Sequence, residues 1–201
     1  MFIEVAKLLA AKELDFEDGK IIFLREPLIM FPLDTVLDFQ RKLEKINLQN
    51  LIYFSARETG LKWFKLMVDH YKMDYEDIIK WGCKKIDLAG LGRTNVKIIS
   101  LKDGQALNEL KDSSFAKLYL KRFGKSNYFV DNIYRGYAAG AGKLIFNGKD
   151  CHAIETKCIA KGDDTCEFVI KPVDKFDYTK QIVKDQLSFP KKFQNIIETN
   201  P

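Results

Sequence analysis

The chain has 201 residues, of which 46% are hydrophobic and 30% charged, an ordinary composition for a soluble globular protein with one domain, or one domain and a short appendage. The net charge of +5 comes from interspersed signs rather than a basic stripe, which speaks against nucleic acid as a partner. No run approaches the roughly 18 uninterrupted apolar residues of a membrane span. Only Lys180 to Lys192 hints at a basic tail. Met1 to Ala11 is apolar in part but shows neither a basic leader nor a cleavage site, so the expected location is the cytoplasm.

Residues 1–18 predict a short amphipathic N-terminal helix, with Phe2, Val5, Leu8 and Leu9 on one face. Residues 19–171 read as the main domain. Gly19 opens a strand over Lys20 to Leu24, and Leu28 to Phe31 continues extended after Pro27. Pro32-Leu33-Asp34 caps a helix to about Lys45. Leu51 to Lys72 is the longest helical stretch, and Gly60 inside it signals close approach of another backbone or of a ligand. Tyr75 to Trp81 predicts a short helix stopped by Gly82, and Cys83 reads as inert core. Lys85 to Ala89 and Asn95 to Leu101 alternate around Gly90-Leu91-Gly92-Arg93 as a hairpin. Ser113 or Ser114 caps a helix that Gly124 ends.

Tyr128 to Gly142 predicts a helix whose second half collapses to glycine and alanine, admitting a neighbour at short range. Neither a dinucleotide fingerprint nor a Walker pattern is present, so no nucleotide is expected. Leu144 to Phe146, Asn147-Gly148 and Cys151 onward predict another hairpin. Pro172 ends the last strand, and residues 172–201 form a C-terminal extension, peripheral and with one short helix. Counting elements gives an α+β fold, a mainly antiparallel sheet packed against helices.

Three of the four cysteines lie between Asp150 and Ile170. Two β-rich runs there flank Lys161-Gly162-Asp163-Asp164, a turn that places Cys158 and Cys166 about one strand spacing apart, roughly 5 Å. Glu155, three residues before Cys158, aims at the same point if the strand bulges. Two thiolates and a carboxylate suit Zn²⁺. Buried thiols acting as small hydrophobes are the plain alternative, and a disulfide is disfavoured inside a cell. No Cys-x2-Cys pair of a zinc finger occurs.

Gly136-Tyr137, Glu155-x2-Cys158 and Cys158-x7-Cys166, in that order, resemble the 4-vinyl-reductase domain family, also found as the aromatic-sensing module of phenol-responsive activators. The resemblance covers roughly Gly19 to Lys171. It implies zinc held by three cysteines and one glutamate, of which Glu155, Cys158 and Cys166 match three. A cysteine that precedes the Gly-Tyr word in the metal-binding members is replaced here by Val130-Asp131-Asn132-Ile133. Cys151, four residues before Glu155 on the same strand face, takes the fourth position on this reading.

The resemblance further implies an interior pocket, a homodimer made through helices, and a fold near those of haem-based nitric-oxide sensors and of vesicle-tethering subunits that hold an acyl chain. The expected function is a hydrocarbon- or aromatic-binding sensor domain with a structural zinc and no catalytic output. Its ligand, an apolar small molecule or acyl chain, would lie between the Gly60 helix and the Tyr128 helix, lined by Gly60, Trp63, Phe64, Phe129, Tyr134 and Tyr137. Each of these is also explained by core packing. A tetrapyrrole vinyl reductase is the enzymatic alternative, though no motif holds a hydride donor. A dimeric assembly module is the third reading. Tyr53-x-Ser55-x-Arg57 matches the porphyrin clamp of the haem sensors, but no histidine precedes it, so haem is not expected.

Overall fold

The computed structural model describes residues 14–23 and 26–188. The described residues fall into two compact units, divided between Val36 and Leu37. In the first, Asp18 and Gly19 take positive φ of 50° and 75°, the backbone twist of a two-residue hairpin turn. Leu14–Glu17 (β1) therefore pairs antiparallel with Lys20–Phe23 (β2), and Glu26–Leu28 (β3) adds to β2. The helix expected over residues 1–18 is a strand in its described part, because Asp-Gly reverses the chain; positions 1–13 lie outside the described residues.

The second unit follows from helix α1 (Leu33–Glu44), which starts at the end of the first, to α2 (Asn50–Tyr71) and α3 (Tyr75–Leu88). Asp74 caps α3 by accepting from Asp77 N at 2.9 Å. The helix runs straight through Gly82, since one glycine costs about 1 kcal/mol against alanine and does not stop a capped helix. Lys85 to Leu88 is thus helical, not the first arm of a hairpin. The strand that follows, β4 (Arg93–Ser100), pairs with β5 (Gln105–Lys111). Ser113 Oγ accepts from Ala116 N at 3.1 Å and opens α4 (Ser114–Phe123), which Gly124 ends at φ 76°, as expected.

Helix α5 (Asn132–Ile145) is the centre of the unit. It ends at Asn147 and Gly148, with φ of 56° and 80°, where Gly148 N donates to Lys143 O at 2.8 Å. Asn-Gly therefore closes a helix rather than turning a hairpin; both uses need the same left-handed backbone. Gly136 and Gly140, one turn apart, press on α2. A Cβ at Gly136 would lie 2.6 Å from Tyr53 O, and one at Gly140 2.6 Å from Leu61 N. On the sheet side a Cβ at Gly142 would meet Ile170 Cγ2 at 2.8 Å.

The sheet itself runs β4-β5-β7-β6, antiparallel throughout, with β6 (Cys151–Lys157) at one edge and β7 (Cys166–Pro172) beside it. The C-terminal segment is not peripheral over its described part: α6 (Gln181–Leu187) buries Val183 and Leu187 and lies along β6.

Candidate metal centre and ligand cavity

Register places Cys158 and Cys166 across from each other, because Lys157 pairs with Glu167 one step earlier. Residues three apart on a regular strand face opposite ways. Here the register shifts between Glu155, which pairs with Phe168, and Lys157. That bulge turns Glu155 inward with Cys158. From the start of α5, Asp131 enters the same space. One ligand atom from each of Asp131, Glu155, Cys158 and Cys166 lies within 4.8 Å of all the others, and all four residues are buried.

Hydrogen bonds fix this cluster from several sides. Ser113 Oγ donates to Asp131 Oδ1 at 2.6 Å, Asp131 N donates to Glu155 Oε2 at 3.2 Å, and Ile159 N donates to Cys166 Sγ at 3.3 Å. Cys158 N donates to Asp163 Oδ2 at 2.8 Å, which tightens the turn. Asp131 Oδ2 and Glu155 Oε1 are buried with no hydrogen-bond partner. Burial raises the carboxyl pKa of Asp131, and burial together with the Asp131 and Cys158 charges raises that of Glu155 well above the usual carboxylate range. The hydrogen bond between the two thiols lowers Cys158 and raises Cys166. Two buried carboxylates beside two thiols, with one ligand atom of each within 4.8 Å of the others, would suit a tetrahedral divalent cation, which would satisfy all four at once.

Cys151 is not part of this cluster. It shares a strand face with Glu155, but four residues along a strand span about 13 Å. Its sulfur packs instead against α5 near Gly142 and donates to Lys149 O at 3.3 Å. Asp131, within the stretch Val130-Asp131-Asn132-Ile133, is the fourth member of the cluster. Cys83 sits far from the cluster, on α3.

Deep in the same unit lies Arg135, 1% exposed. Its guanidinium donates to Asn132 Oδ1 at 2.8 Å, Gln186 O at 2.9 Å and Asn50 Oδ1 at 3.3 Å, and stacks 3.9 Å from the Tyr53 ring centre. Desolvation lowers its pKa to about 10, with Tyr53 and Glu155 opposing. Tyr53 in turn accepts from Ala153 N at 3.2 Å and meets His152 Nδ1 at 2.8 Å, while Arg57 Nε donates to Cys151 O at 2.8 Å. The Tyr-x-Ser-x-Arg word is thus spent on tying α2 to β6.

A separate cavity of about 60 Å³ lies between α3, α5 and the sheet. Phe64, Ile78, Ile86, Val96, Ala138 and Ile170 give it apolar walls, with Cys83 and Gly82 on the α3 side. Thr94 and Asn108 also line it, and Asn108 Oδ1 is buried without a hydrogen-bond partner. Tyr134 lies beside them; burial raises its pKa, and side-chain hydrogen bonding from Thr94 and Asn108 opposes the rise. One end of the cavity is therefore polar, with one acceptor left unmet.

Of the residues expected to line a pocket, Phe64, Tyr134 and Tyr137 do so here. The space is not between α2 and α5, because the glycines of α5 bring those helices into backbone contact. Gly60 serves that approach, its ideal Cβ falling 2.9 Å from Tyr137 Cδ1. Trp63 is buried beneath Lys85, whose Nζ lies 2.7 Å from a ring centre of the indole. Phe129 lies beside Lys161, whose Nζ is 5.0 Å from its ring centre, at a polar groove on the opposite side of α5. Thr94 and Asn108 were not legible as site residues, since nothing in an isolated Thr or Asn marks it as lining a cavity.

The chain is similar in structure to the phenol-responsive sensory domain of the transcription activator PoxR, solved with phenol, at a TM-score of 0.73 and 17% identity, covering 94% of this chain and 98% of that one. A vinyl-4-reductase family protein from Methanocaldococcus jannaschii matches at TM-score 0.44 and 18% identity, over 73% of this chain and 98% of that one. A trafficking protein particle complex subunit 3 from Naegleria fowleri, covalently bound to palmitic acid, matches at 0.44 and 14%, over 69% and 89%. No curated protein sequence matches. Among the described residues, no helix is long and apolar enough to cross a membrane. The family model of the 4-vinyl-reductase domain matches residues 115–172. That stretch holds all four cluster residues, and through it the chain is recognised as similar to the 4-vinyl-reductase domain family.

Proposed function

We propose that this chain is a small-molecule sensor domain, cytoplasmic and homodimeric, that takes an apolar ligand carrying one hydrogen-bond donor into the α3–α5–sheet cavity. The observation that carries this reading is the polar end that Thr94, Asn108 and Tyr134 give to an otherwise apolar space, where the acceptor Asn108 Oδ1 is buried without a partner. An unmet buried acceptor costs about 1–3 kcal/mol, which a ligand hydroxyl recovers. The likeness to a domain solved with phenol supports the same ligand chemistry. The free space of about 60 Å³ is less than the ~150 Å³ of a cavity that admits benzene, so a ring enters only as a wall moves. Helix α3 is the wall that yields, since it buries only Ile78 and Ile86.

The acid–thiol cluster has a structural role in this reading. Asp131, Glu155, Cys158 and Cys166 would hold a zinc ion with four protein donors, which would tie the β6–β7 hairpin to the start of α5 and leave no position for an activated water. Thermal shift with phenol, toluene and palmitate tests the ligand class. Phenol raises the melting temperature more than toluene, and Asn108→Leu removes that difference while leaving the toluene response. No shift with any of the three, or an Asn108→Leu protein that still prefers phenol, refutes the reading.

A further inference from the structure

We infer that Gln186 is a positioning residue for the acid–thiol cluster, and that docking of α6 on β6 is coupled to the cluster's occupancy by a divalent cation. The inference rests on the metal reading above. Strand β6 is an edge of its sheet, so its outward N–H and C=O groups lack a strand partner. At Glu155 one side chain takes both: Glu155 N donates to Gln186 Oε1 at 2.8 Å, and Gln186 Nε2 donates to Glu155 O at 2.8 Å. The carboxamide does there what another strand would do. Glu155 sends its own carboxylate inward to the cluster, so a single residue joins the site to the helix.

Three further hydrogen bonds hold the helix: Arg135 Nη1 to Gln186 O at 2.9 Å, and Asn50 Nδ2 to Asp185 O at 3.0 Å and Ser188 O at 2.9 Å. Seven residues are too few for a helix to persist by itself, so α6 is ordered only while these contacts and the burial of Val183 and Leu187 last. Without a cation, two carboxyls and two thiols crowd one buried space, and burial with the Asp131 charge disfavours an ionised Glu155 there. A local opening that admits water to Glu155 relieves this. Inward, Glu155 is enclosed by α5 and β7; at its outer edge it is held by α6. Opening therefore passes through the α6 contact. A bound cation removes the drive to open, and by reciprocity whatever the cation adds to docking, docking adds to cation affinity.

The experiment measures hydrogen exchange of α6 amides in the full chain, with saturating Zn²⁺ or with chelator, alongside Zn²⁺ affinity by competition. Zinc slows α6 exchange, and Gln186→Ala weakens zinc binding about tenfold, the scale of one or two neutral hydrogen bonds, while removing the zinc-dependent protection. Val183→Asn loosens α6 without touching Glu155 and moves affinity the same way, which keeps the test open if Gln186→Ala fails to fold. Gln181→Ala, whose side chain bonds only within α6 to Asp185, leaves affinity unchanged. Zinc bound with equal affinity by the Gln186 and Val183 variants, and α6 exchange indifferent to zinc, overturns the coupling while the metal reading stands. Absence of zinc binding in the unmodified chain overturns the metal reading and the coupling with it.

Discussion

Acidification acts on this fold through His152. The ring is held neutral: burial, then the Arg57 and Arg135 charges, lower its pKa to about 3, against a weak opposing pull from Asp150. Its hydrogen-bonded neighbour Tyr53 accepts from Ala153 N, so the phenol proton points to His152 Nδ1. A protonated ring would lose that bond and add a cation beside two guanidinium groups. The unfolded chain protonates near the ordinary value of 6.5, so the stability that His152 contributes is complete above pH 6.5 and is lost as pH falls toward 3. The slope is ~1.4 kcal/mol per pH unit, which from pH 8 to pH 5 amounts to ~2 kcal/mol. Urea unfolding at both pH values, for the unmodified chain and for His152→Gln, isolates the effect, because glutamine still accepts from Tyr53 but does not titrate. A pH 8 to pH 5 loss that is the same in both proteins refutes the assignment.

Gly140→Ala would place a methyl group 2.6 Å from Leu61 N and 2.7 Å from Arg57 O, both backbone atoms. The clash costs more than the ~1 kcal/mol that alanine gains in a helix, for a net loss of ~1–3 kcal/mol read as a lower melting temperature; an unchanged or raised value contradicts backbone contact between α2 and α5. Cys158→Ser and Cys166→Ser abolish zinc content measured by elemental analysis, whereas Cys151→Ser and Cys83→Ser retain it; equal loss from all four contradicts the cluster.

The cysteine hairpin was legible because eight residues, a Gly-Asp turn and a three-residue offset to Glu155 leave few ways to fold. Even its bulge is implied, since Glu155 and Cys158 meet only if one residue is extra. The fourth donor was not, because Asp131 lies 24 residues before Glu155 along the chain, and only the tertiary fold brings them together. Same-face reasoning favoured Cys151, yet facing one way is not the same as being near. Asn147-Gly148 misled for a related reason: left-handed backbone ends a helix as readily as it turns a hairpin. Strand β5, Gln-Ala-Leu-Asn-Glu-Leu-Lys, is built of residues with little strand preference and was missed; its position between β4 and β7 makes it a strand. Missing it, and stopping α3 at Gly82, hid two walls of the cavity.

Charge balance ties the two halves of this reading together. Two carboxylates and two thiols share one buried site, and four ionised groups cannot coexist there without compensation. Protonation is one solution, and the raised pKa values of Asp131 and Glu155 describe it. A divalent cation is the other, and it leaves excess negative charge facing Arg135, whose charge is influenced by Glu155 across the core. With Asp131 in the place of a third thiolate the set would keep the same charge and differ only in the softness of its donors. Since Ser113 grips Asp131 while capping α4, and Gln186 grips Glu155 while anchoring α6, the site draws elements on both sides of α5 into one unit, and α5 also carries Tyr134 at the polar end of the cavity. A cation held at the cluster would stiffen the helix that forms one cavity wall, and on the proposed function α3 would then be the side that gives when a ligand enters.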